Sequence, residues 1–434
     1  MSAHRSLLAL SAAWAGARLC GEVGVRLRQP RVIGEIIAGI LLGPTGIGPE
    51  ASEALFPSIL AVPALRTVAS LGPTLYIFSV GLDFDVRSLL PVKGQVMALA
   101  ALSTALPSSA AIGVAAVLKQ MNGFLGKSGS MTSFTLALAS AFACSALPVA
   151  ALILQELGLF DTPNAKVCIG AAALVTVLQF ILLALAEATS VDPDPIAVLV
   201  AACRAIGGTA GLVVAQIGCS YLFSRLRRSF PALLGGDPGP MICILIYVLV
   251  VLSAIATDLL GFTVVLGGFT AGCSIPFDMR LRARLKEPFK LLNSWLLLPV
   301  FFVVSGLATN LRLVTAEMLP GILLVVVSAI GSKLVVTFFA PWIRQRWVTA
   351  IQLNCLLNCR GLLVLVINLQ ADSLGLFGKG TSAALVIMAL VSTAMTGPLV
   401  RKLVAIDTNR DPPQDGLQVE AKHEDEPAVG TQHI

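Results

Sequence analysis

The chain has 434 residues, of which 56% are hydrophobic and only 12% are charged, and its formal net charge is +6. Because a soluble domain has about 25% charged residues, this composition excludes an ordinary soluble protein and indicates an integral membrane protein. The basic excess lies in short loops between apolar segments, where anionic lipid head groups attract it, so it does not indicate a nucleic-acid partner.

Apolar segments follow one another along almost the whole chain, and many are long enough to span a bilayer. We place thirteen of them at residues 7–26, 32–48, 65–84, 95–118, 131–156, 165–189, 195–223, 241–261, 262–276, 289–311, 321–343, 347–371 and 380–400. The first lacks a basic n-region and a small-residue cleavage site, so we expect no cleavable signal peptide. The predicted fold is all-α, with a transmembrane domain over residues 1–402 and a short disordered cytosolic tail over 403–434.

Lysine and arginine are distributed unevenly between the predicted loops. The loops after odd-numbered segments contain most of them: Arg26, Arg28, Arg31, Arg87, Lys93, Lys166, Arg225, Arg227, Arg228, Arg280, Arg282, Arg284, Lys286, Lys290, Arg344 and Arg346. The loops after even-numbered segments contain few: Arg66, Lys119, Lys127, Arg312 and Lys379. Since cytoplasmic loops collect basic residues, we expect the odd-numbered loops and the C-terminus in the cytosol and the N-terminus outside.

Two segments contain helix-breaking residues near mid-membrane depth. The fifth has Ser145 and Pro148 near its centre, and a proline removes a helix hydrogen bond, although taken alone it also fits a simple kink. The twelfth contains a polar, flexible group made of Asn354, Asn358, Arg360 and Gly361. Each is the fourth segment of a six-segment half, and their odd spacing makes the two run in opposite directions. This arrangement predicts inverted repeats whose broken helices cross at a transport site.

Two cations lie within apolar stretches, where a charge costs about 2.5–3.5 kcal/mol on insertion scales. Lys333 lies in the eleventh segment and Arg360 in the twelfth. A membrane helix usually carries such a charge where it faces a partner, a cavity or a substrate, so both residues are candidates for a substrate site.

Other chemistry finds little support in the sequence. The nine cysteines form no CxxC pair, and the three histidines lie near the termini. The chain has no HExxH or GxSxG motif and no paired membrane carboxylates. We therefore expect no metal, no cofactor and no enzymatic activity.

Six stretches in order resemble the monovalent cation:proton antiporters, the second cation:proton antiporter family, across about residues 20–402. They are Arg28–Gly48, Ser79–Asp85, Phe142–Leu159, Gly267–Pro276, Leu296–Leu311 and Asn358–Leu365. The resemblance implies a homodimer with alternating access of an elevator type. It also implies a mobile core, here about residues 95–189 and 289–371, that moves against a scaffold and dimerisation domain formed by the rest.

The resemblance also carries residue roles. Lys333 matches the family's core lysine, Arg360 the arginine of its Asn-x-Arg-Gly motif, Ser145 its crossover Ser/Thr and Glu35 the glutamate of its first signature. The family has Asn-Asp or Asp-Asp in its sixth segment, and that aspartate binds the cation and exchanges protons.

This chain departs from the family at its acidic positions. Val175 and Thr176 align with the Asn-Asp pair, and Val364 stands where a glutamate often follows Asn-x-Arg-Gly. A dehydrated monovalent cation needs negative charge or several oxygens, and threonine cannot exchange protons near neutral pH. Without the aspartate, the oxygens would have to come from the broken-helix carbonyls and from Thr176, Ser145, Asn354 and Asn358.

Three functions remain open. The main interpretation is a monovalent cation (Na⁺ or K⁺)/proton antiporter with altered coupling, in which Lys333 loses its proton during the cycle. The second is a carrier of an organic anion or a neutral small molecule on the same scaffold, since two buried cations and helix N-termini can form an anion site. The third is a regulatory relative that has lost transport.

The basic-residue pattern predicts the sidedness of two loops. A single cysteine in the arginine-rich loop 278–290 should react with a membrane-impermeant maleimide from the cytosolic side, and one in the loop 192–195, which has no arginine, from the outer side. The nine native cysteines are replaced first, and that background supplies the unlabelled control. Labelling of both loops from the same side would contradict thirteen spans.

Overall fold

The computed structural model describes part of the chain. The described residues are 3–27, 29, 31–55, 63–83, 91–127, 130–160, 162–191, 199–200, single positions between 203 and 225, 240–259, 264–275, 282, 285–286, 293–307, 311–361 and 363–410. Most of the predicted seventh segment, the loop 192–195, the tail residues 411–434 and all of the loop 278–290 except residues 282, 285 and 286 therefore lie outside the described residues.

The described chain is α-helical, and its β content is one isolated antiparallel bridge between Leu125 and Phe377. In the first half the helices are α1 (Ala3–Arg26), α2 (Arg31–Leu42), α3 (Pro49–Leu55), α4 (Pro63–Asp83), α5 (Lys93–Leu118), α6 (Met131–Ala143), α7 (Leu147–Glu156) and α8 (Pro163–Val191). In the second half they are α9 (Pro240–Leu259), α10 (Val264–Ser274), α11 (Leu298–Leu307), α12 (Leu319–Val335), α13 (Trp347–Leu357), α14 (Leu363–Ser373) and α15 (Lys379–Arg410).

Five helical stretches of the described chain are long and apolar enough to cross a membrane: Lys93–Leu118, Met131–Glu156, Pro163–Ser190, Ala316–Phe339 and Lys379–Ile406. Shorter apolar helices coincide with further predicted segments, among them Ile244–Leu259, Asn293–Val304 and Trp347–Leu357. The all-α prediction is confirmed for the described residues.

The structure differs from the prediction at the C-terminal end. Helix α15 continues to Arg410, so residues 403–410 are helical and the expected tail begins later than residue 403. The reason lies in the sequence, because neither proline nor glycine follows Pro398 before the helix ends. Leu403 and Val404 extend the apolar face of this helix and pack on the core.

Both predicted breaks are confirmed. The fifth segment is interrupted after Ala143 and resumes at Leu147, and the twelfth is interrupted after Leu357 and resumes at Leu363. Pro148 lies in the first turn of α7, where its missing N–H has no helical partner to lose, so it starts the second half-helix. Gly361 has φ of +48°, and a Cβ there would lie 2.8 Å from Val149 Cγ2 and 2.9 Å from the Ala146 Cβ. Glycine is therefore required where the second break passes the first.

The helices pack in two groups. One contains α1, α2, α4, α9, α10 and α11, with α2 between α1 and α11 and α10 between α4 and α9. The other contains the four half-helices together with α5, α8, α12 and α15. The expected division placed residues 289–311 in the core and residues beyond 371 outside it. In the structure, α11 packs against α1, α2 and α4, whereas α15 packs against α12 and α13.

Glycines allow very close backbone approach within the first group. A Cβ added at Gly39 of α2 would meet the Val303 carbonyl of α11, and one added at Gly306 would lie 2.8 Å from the Gly39 Cα. Backbones at this separation leave no room for a side chain, and such small-residue contacts are typical of membrane helix pairs. The α2–α11 pair is thereby fixed in one register.

We expect Gly306→Ala to destabilise the protein by about 1–3 kcal/mol, because the new methyl group must displace backbone atoms of α2. The matched control is Gly331→Ala in α12, where an added Cβ meets nothing within 4 Å. That control should leave stability unchanged or raise it slightly, since alanine is the better helix former. Thermal unfolding of the detergent-solubilised protein measures both, and equal melting temperatures for the two variants would contradict the prediction.

Candidate functional site

The two breaks lie against each other and are joined by direct hydrogen bonds. The Ala146 amide donates to the Cys359 carbonyl at 2.7 Å. The Ser145 hydroxyl donates to the Leu357 carbonyl, also at 2.7 Å. We call the two interrupted stretches, residues 144–146 and 358–361, the crossing. Backbone groups that no helix can satisfy are thus paired with the opposite break, as the interior of a bilayer requires.

Arg360 is fully buried at the crossing and ties the end of α6 to it. Its guanidinium donates to the carbonyls of Ala141, at 3.0 Å, and Phe142, both in the last turn of α6. It also donates to the Ala329 carbonyl of α12 and, at 3.4 Å, to Asn358 Oδ1. Carbonyls in the last turn of a helix lack intrahelical donors and carry its negative dipole end. The guanidinium supplies both the donors and the positive charge.

Lys333 of α12 lies at the equivalent place, the carboxyl end of the half-helix α13. It is fully buried, and its Nζ donates to the Leu357 carbonyl at 3.0 Å and to the Ser145 hydroxyl. Leu357 is the last residue of α13. Each of the two buried cations is therefore held at the carboxyl end of one half-helix.

Thr176 lies beside the crossing on α8 and is buried. Its hydroxyl lies 2.8 Å from the Ala172 carbonyl of its own helix and 3.5 Å from the Ser145 carbonyl. The titratable side chains that interact with Lys333 are Arg360 and three cysteine thiols, so the described surroundings of this ammonium contain no carboxylate. The thiols belong to Cys144, Cys168 and Cys359.

The two predicted asparagines have different surroundings. Asn358 lies in the crossing, where its Oδ1 accepts from Arg360 and its Nδ2 has no partner among the described residues. Asn354 lies one turn earlier, and its Nδ2 donates to Thr337 Oγ1 at 3.2 Å and to the Ala350 carbonyl at 2.9 Å. Its side chain is therefore directed to the short 3₁₀-helix Val336–Phe339 that follows α12.

Gln179 is a buried polar residue that the sequence analysis missed. It is fully buried on α8, and both its Oε1 and its Nε2 lack a nitrogen or oxygen partner among the described residues. Its amide lies against the Cys144 thiol at the first break. The available signal was its spacing, because Gln179 follows Thr176 by three positions and so lies on the same helix face.

Glu35 lies away from these groups. It is buried on α2, its Cγ lies close to Gly21 of α1, and the charged residues around it are Arg18, Arg31 and Glu156. Val364 is buried in the apolar core at the start of α14. No group of three His, Cys, Asp or Glu side chains able to hold a metal ion occurs in the part of the chain that the structure describes.

Taken together, the crossing and the groups beside it offer two cations, two hydroxyls and two amides, all buried. They are Lys333 and Arg360, Ser145 and Thr176, and Asn358 and Gln179. Lysine can give up its proton, whereas arginine stays protonated. Hydroxyl, amide and backbone oxygens are ligands that a dehydrated alkali cation accepts in membrane proteins. The arrangement can therefore bind a small polar or charged solute and move a proton at Lys333 Nζ.

Known proteins resemble this chain along almost its whole length. The family described as the transmembrane sodium/hydrogen exchanger matches residues 10–405. Cation/H(+) antiporter 20 of Arabidopsis thaliana is 32% identical over 425 residues, which cover 91% of this chain and 49% of that protein. This chain thus spans about half the length of that relative. The Na(+)/H(+) antiporter NhaS4 of Synechocystis is 31% identical over 400 residues, covering 89% of this chain and 94% of the relative.

A solved structure agrees at the level of the fold. The sodium proton antiporter MjNhaP1 of Methanocaldococcus jannaschii has a TM-score of 0.61 and 15% sequence identity, and the match covers 93% of this chain and 98% of that one. The family match and the structural match each cover more than nine tenths of this chain. This chain is an integral membrane protein and belongs to the transmembrane sodium/hydrogen exchanger family.

Proposed function

We propose that this chain is a secondary active transporter that exchanges a monovalent cation, Na⁺ or K⁺, for a proton. The observation that carries the proposal is Lys333, a fully buried ammonium held by a hydroxyl and a helix-end carbonyl, with no carboxylate among its described partners. A charge in such a place is expensive and marks a functional site. The names of the relatives, which are antiporters of sodium, potassium or unspecified cations, support the same class of substrate.

In this proposal Lys333 is the group that carries the exchanged proton. While it is protonated, its charge at the end of α13 repels a cation and satisfies the Leu357 carbonyl. When it loses the proton, the neutral amine no longer opposes a cation, and the carbonyl and the Ser145 hydroxyl become available as ligands. Proton and cation then exclude each other from one place, which is the requirement for exchange.

The larger arrangement is part of the same proposal. The half-helices with α5, α8, α12 and α15 form the moving core, and the remaining helices form the scaffold through which two copies of the chain associate. The N-terminus lies outside and the C-terminus in the cytosol, as the basic loops indicate. The glycine contacts of the α2–α11 pair support a rigid scaffold.

A second candidate function has one specific observation in its favour. Asn358 Nδ2 and Arg360 Nε are buried donors without a described partner, and Arg360 and Lys333 place two positive charges at the same crossing. A surplus of donors and positive charge suits an organic anion or a neutral hydrogen-bonding molecule. On this alternative the chain is a carrier of such a solute, and Lys333 binds the solute directly.

Proteoliposomes that contain the purified chain and a pH-sensitive dye test the proposal. A pulse of Na⁺, K⁺ or Li⁺ chloride added outside should raise the luminal pH, because each cation that enters is exchanged for a proton that leaves. Empty liposomes are the control. Absence of a response to all three cations would overturn cation/proton exchange and favour the solute carrier or a relative that has lost transport.

Substitution of Lys333 should separate transport from stability. We expect Lys333→Met to abolish cation-driven proton flux while changing the unfolding free energy by about 1 kcal/mol or less, because an apolar side chain of similar length replaces a buried charge. Ser145 and Leu357 remain bonded to each other in that variant. Proteoliposome flux and thermal unfolding in detergent measure the two effects.

Arg360→Met is the matched contrast. It leaves the buried carbonyls of Ala141, Phe142 and Ala329 without their donor, at about 1–3 kcal/mol each, and should destabilise the fold by at least about 3 kcal/mol. Normal flux in Lys333→Met would place the proton elsewhere, and equal stability of the two variants would contradict the structural role of the guanidinium.

Thr176→Asp should distinguish the two candidate functions. The new carboxylate would start 3.5 Å from the Ser145 carbonyl and within reach of the ammonium that Ser145 binds. If the chain exchanges cations, the variant should increase Na⁺- or K⁺-linked proton flux, since the Lys333 ammonium and the transported cation would then compete for the new carboxylate. If it carries an anion, the variant should lose transport. Thr176→Ser, which keeps a hydroxyl, is the control, and identical behaviour of both variants would remove this face of α8 from the site.

A further inference from the structure

We infer that the side-chain oxygen of Gln179 is a ligand of the transported alkali cation and takes part in its selection. This inference rests on the proposed cation/proton exchange and adds a residue to the same site. The observation behind it is that both polar atoms of a fully buried carboxamide have no nitrogen or oxygen partner among the described residues.

A buried amide without partners is unfavourable, and a folded protein keeps one where something else satisfies it. The backbone of Gln179 is fixed in position, because the Ser140 hydroxyl of α6 donates to the backbone carbonyl of Gln179 at 2.8 Å. The residue is thus attached to the half-helix whose carboxyl end forms part of the crossing. The described contact of its side chain is to a thiol, a weak partner, so the side-chain oxygen can bind a further ligand.

The side-chain carbonyl oxygen of this amide suits a cation rather than an anion. The Gln179 amide lies against Cys144, which directly follows the last residue of α6. The carboxyl end of α6 carries a partial negative charge, but the Arg360 guanidinium already lies against it. The preference for a cation therefore comes from the amide oxygen itself, which is an acceptor. A thiol is a weak acceptor, so an amide N–H directed to Cys144 leaves the carbonyl oxygen for the ion.

The spacing on α8 brings a second oxygen to the same ion. Thr176 lies three positions earlier on the same face, and its hydroxyl lies near the Ser145 carbonyl. Gln179, Thr176 and Ser145 therefore present neutral oxygens along one side of the crossing. Neutral oxygens bind a dehydrated alkali cation when several converge. Gln179 would in part replace the carboxylate that the aligned position 176 lacks.

The test uses the full-length chain in proteoliposomes and compares Gln179→Leu with Gln179→Glu for Na⁺, K⁺ and Li⁺. Gln179→Leu removes the ligand oxygen and should raise the KM for the preferred cation by roughly tenfold, the effect of losing one buried polar contact. Its maximal rate should stay near that of the wild type. Gln179→Glu keeps an oxygen at the site and should bind the cation at least as well as the wild type.

Asn368→Leu is the control, because Asn368 is also a buried amide with an unpartnered oxygen but lies in α14 away from the break. It should leave the KM unchanged. Cation-dependent thermal stabilisation in detergent provides a measurement that does not need transport, since a ligand raises stability according to its occupancy. The stabilisation by Na⁺ or K⁺ should weaken in Gln179→Leu and persist in Asn368→Leu.

The outcomes separate the two proposals. If the wild type exchanges cations and Gln179→Leu has the same KM and the same thermal stabilisation, the inference about Gln179 is overturned and the exchange stands. If the wild type neither exchanges nor is stabilised by any of the three cations, both are overturned. Should Gln179→Leu fail to fold, Gln179→Asn, which withdraws the oxygen by one methylene, carries the same expectation of weaker cation binding.

Discussion

The central constraint in this molecule is that two positive charges are buried where no described carboxylate neutralises them. Each is held at the carboxyl end of a broken helix, Arg360 at the end of α6 and Lys333 at the end of α13. A helix end carries about half an elementary charge, and its last carbonyls lack donors. The cations satisfy the carbonyls and the helix ends stabilise the cations, so the breaks and the charges depend on each other.

The two cations differ in whether they can lose their charge. Arginine keeps its proton and presents several donors in a rigid plane, and Arg360 uses them on carbonyls from two helices and on Asn358. Its position suits a permanent clamp. Lysine has a single nitrogen and can lose its charge, and Lys333 has one carbonyl and one hydroxyl as partners. Deprotonation of Lys333 would leave the Ser145 and Leu357 oxygens without their ammonium partner, while the Arg360 hydrogen bonds that hold the crossing would remain.

The rest of the fold positions this unit. Thr393 of α15 accepts from the Gly361 amide at 3.3 Å and so supports the second break from outside. Thr396 of the same helix is hydrogen-bonded to the Cys355 carbonyl of α13 at 3.2 Å. The other helix group is joined through backbone contacts at glycines such as Gly39 and Gly306. Buried polar bonds thus hold the crossing, and close backbone packing holds the α2–α11 pair.

The sequence by itself determined the membrane class, the helical fold of the described chain and the location of both breaks. Those conclusions follow from local chemistry: apolar length sets a span, Pro148 can start but not continue a helix, and Gly361 permits a positive φ. The same local logic identified Lys333 and Arg360, because a charge in an apolar run is visible without a structure. It placed the start of the tail too early, at residue 403, since the packing of Leu403 and Val404 on the core is a tertiary effect.

Only the tertiary structure decided which groups meet. It directed Asn354 to Thr337 and kept Asn358 in the crossing, although both are asparagines of one segment. It brought Gln179, a polar residue with no motif around it, against Cys144 from a distant part of the chain. Composition and spacing predict which residues share a face of each helix. Which face meets which partner depends on the packing of helices far apart in sequence, and that packing places the Gln179 amide against the Cys144 thiol at the first break.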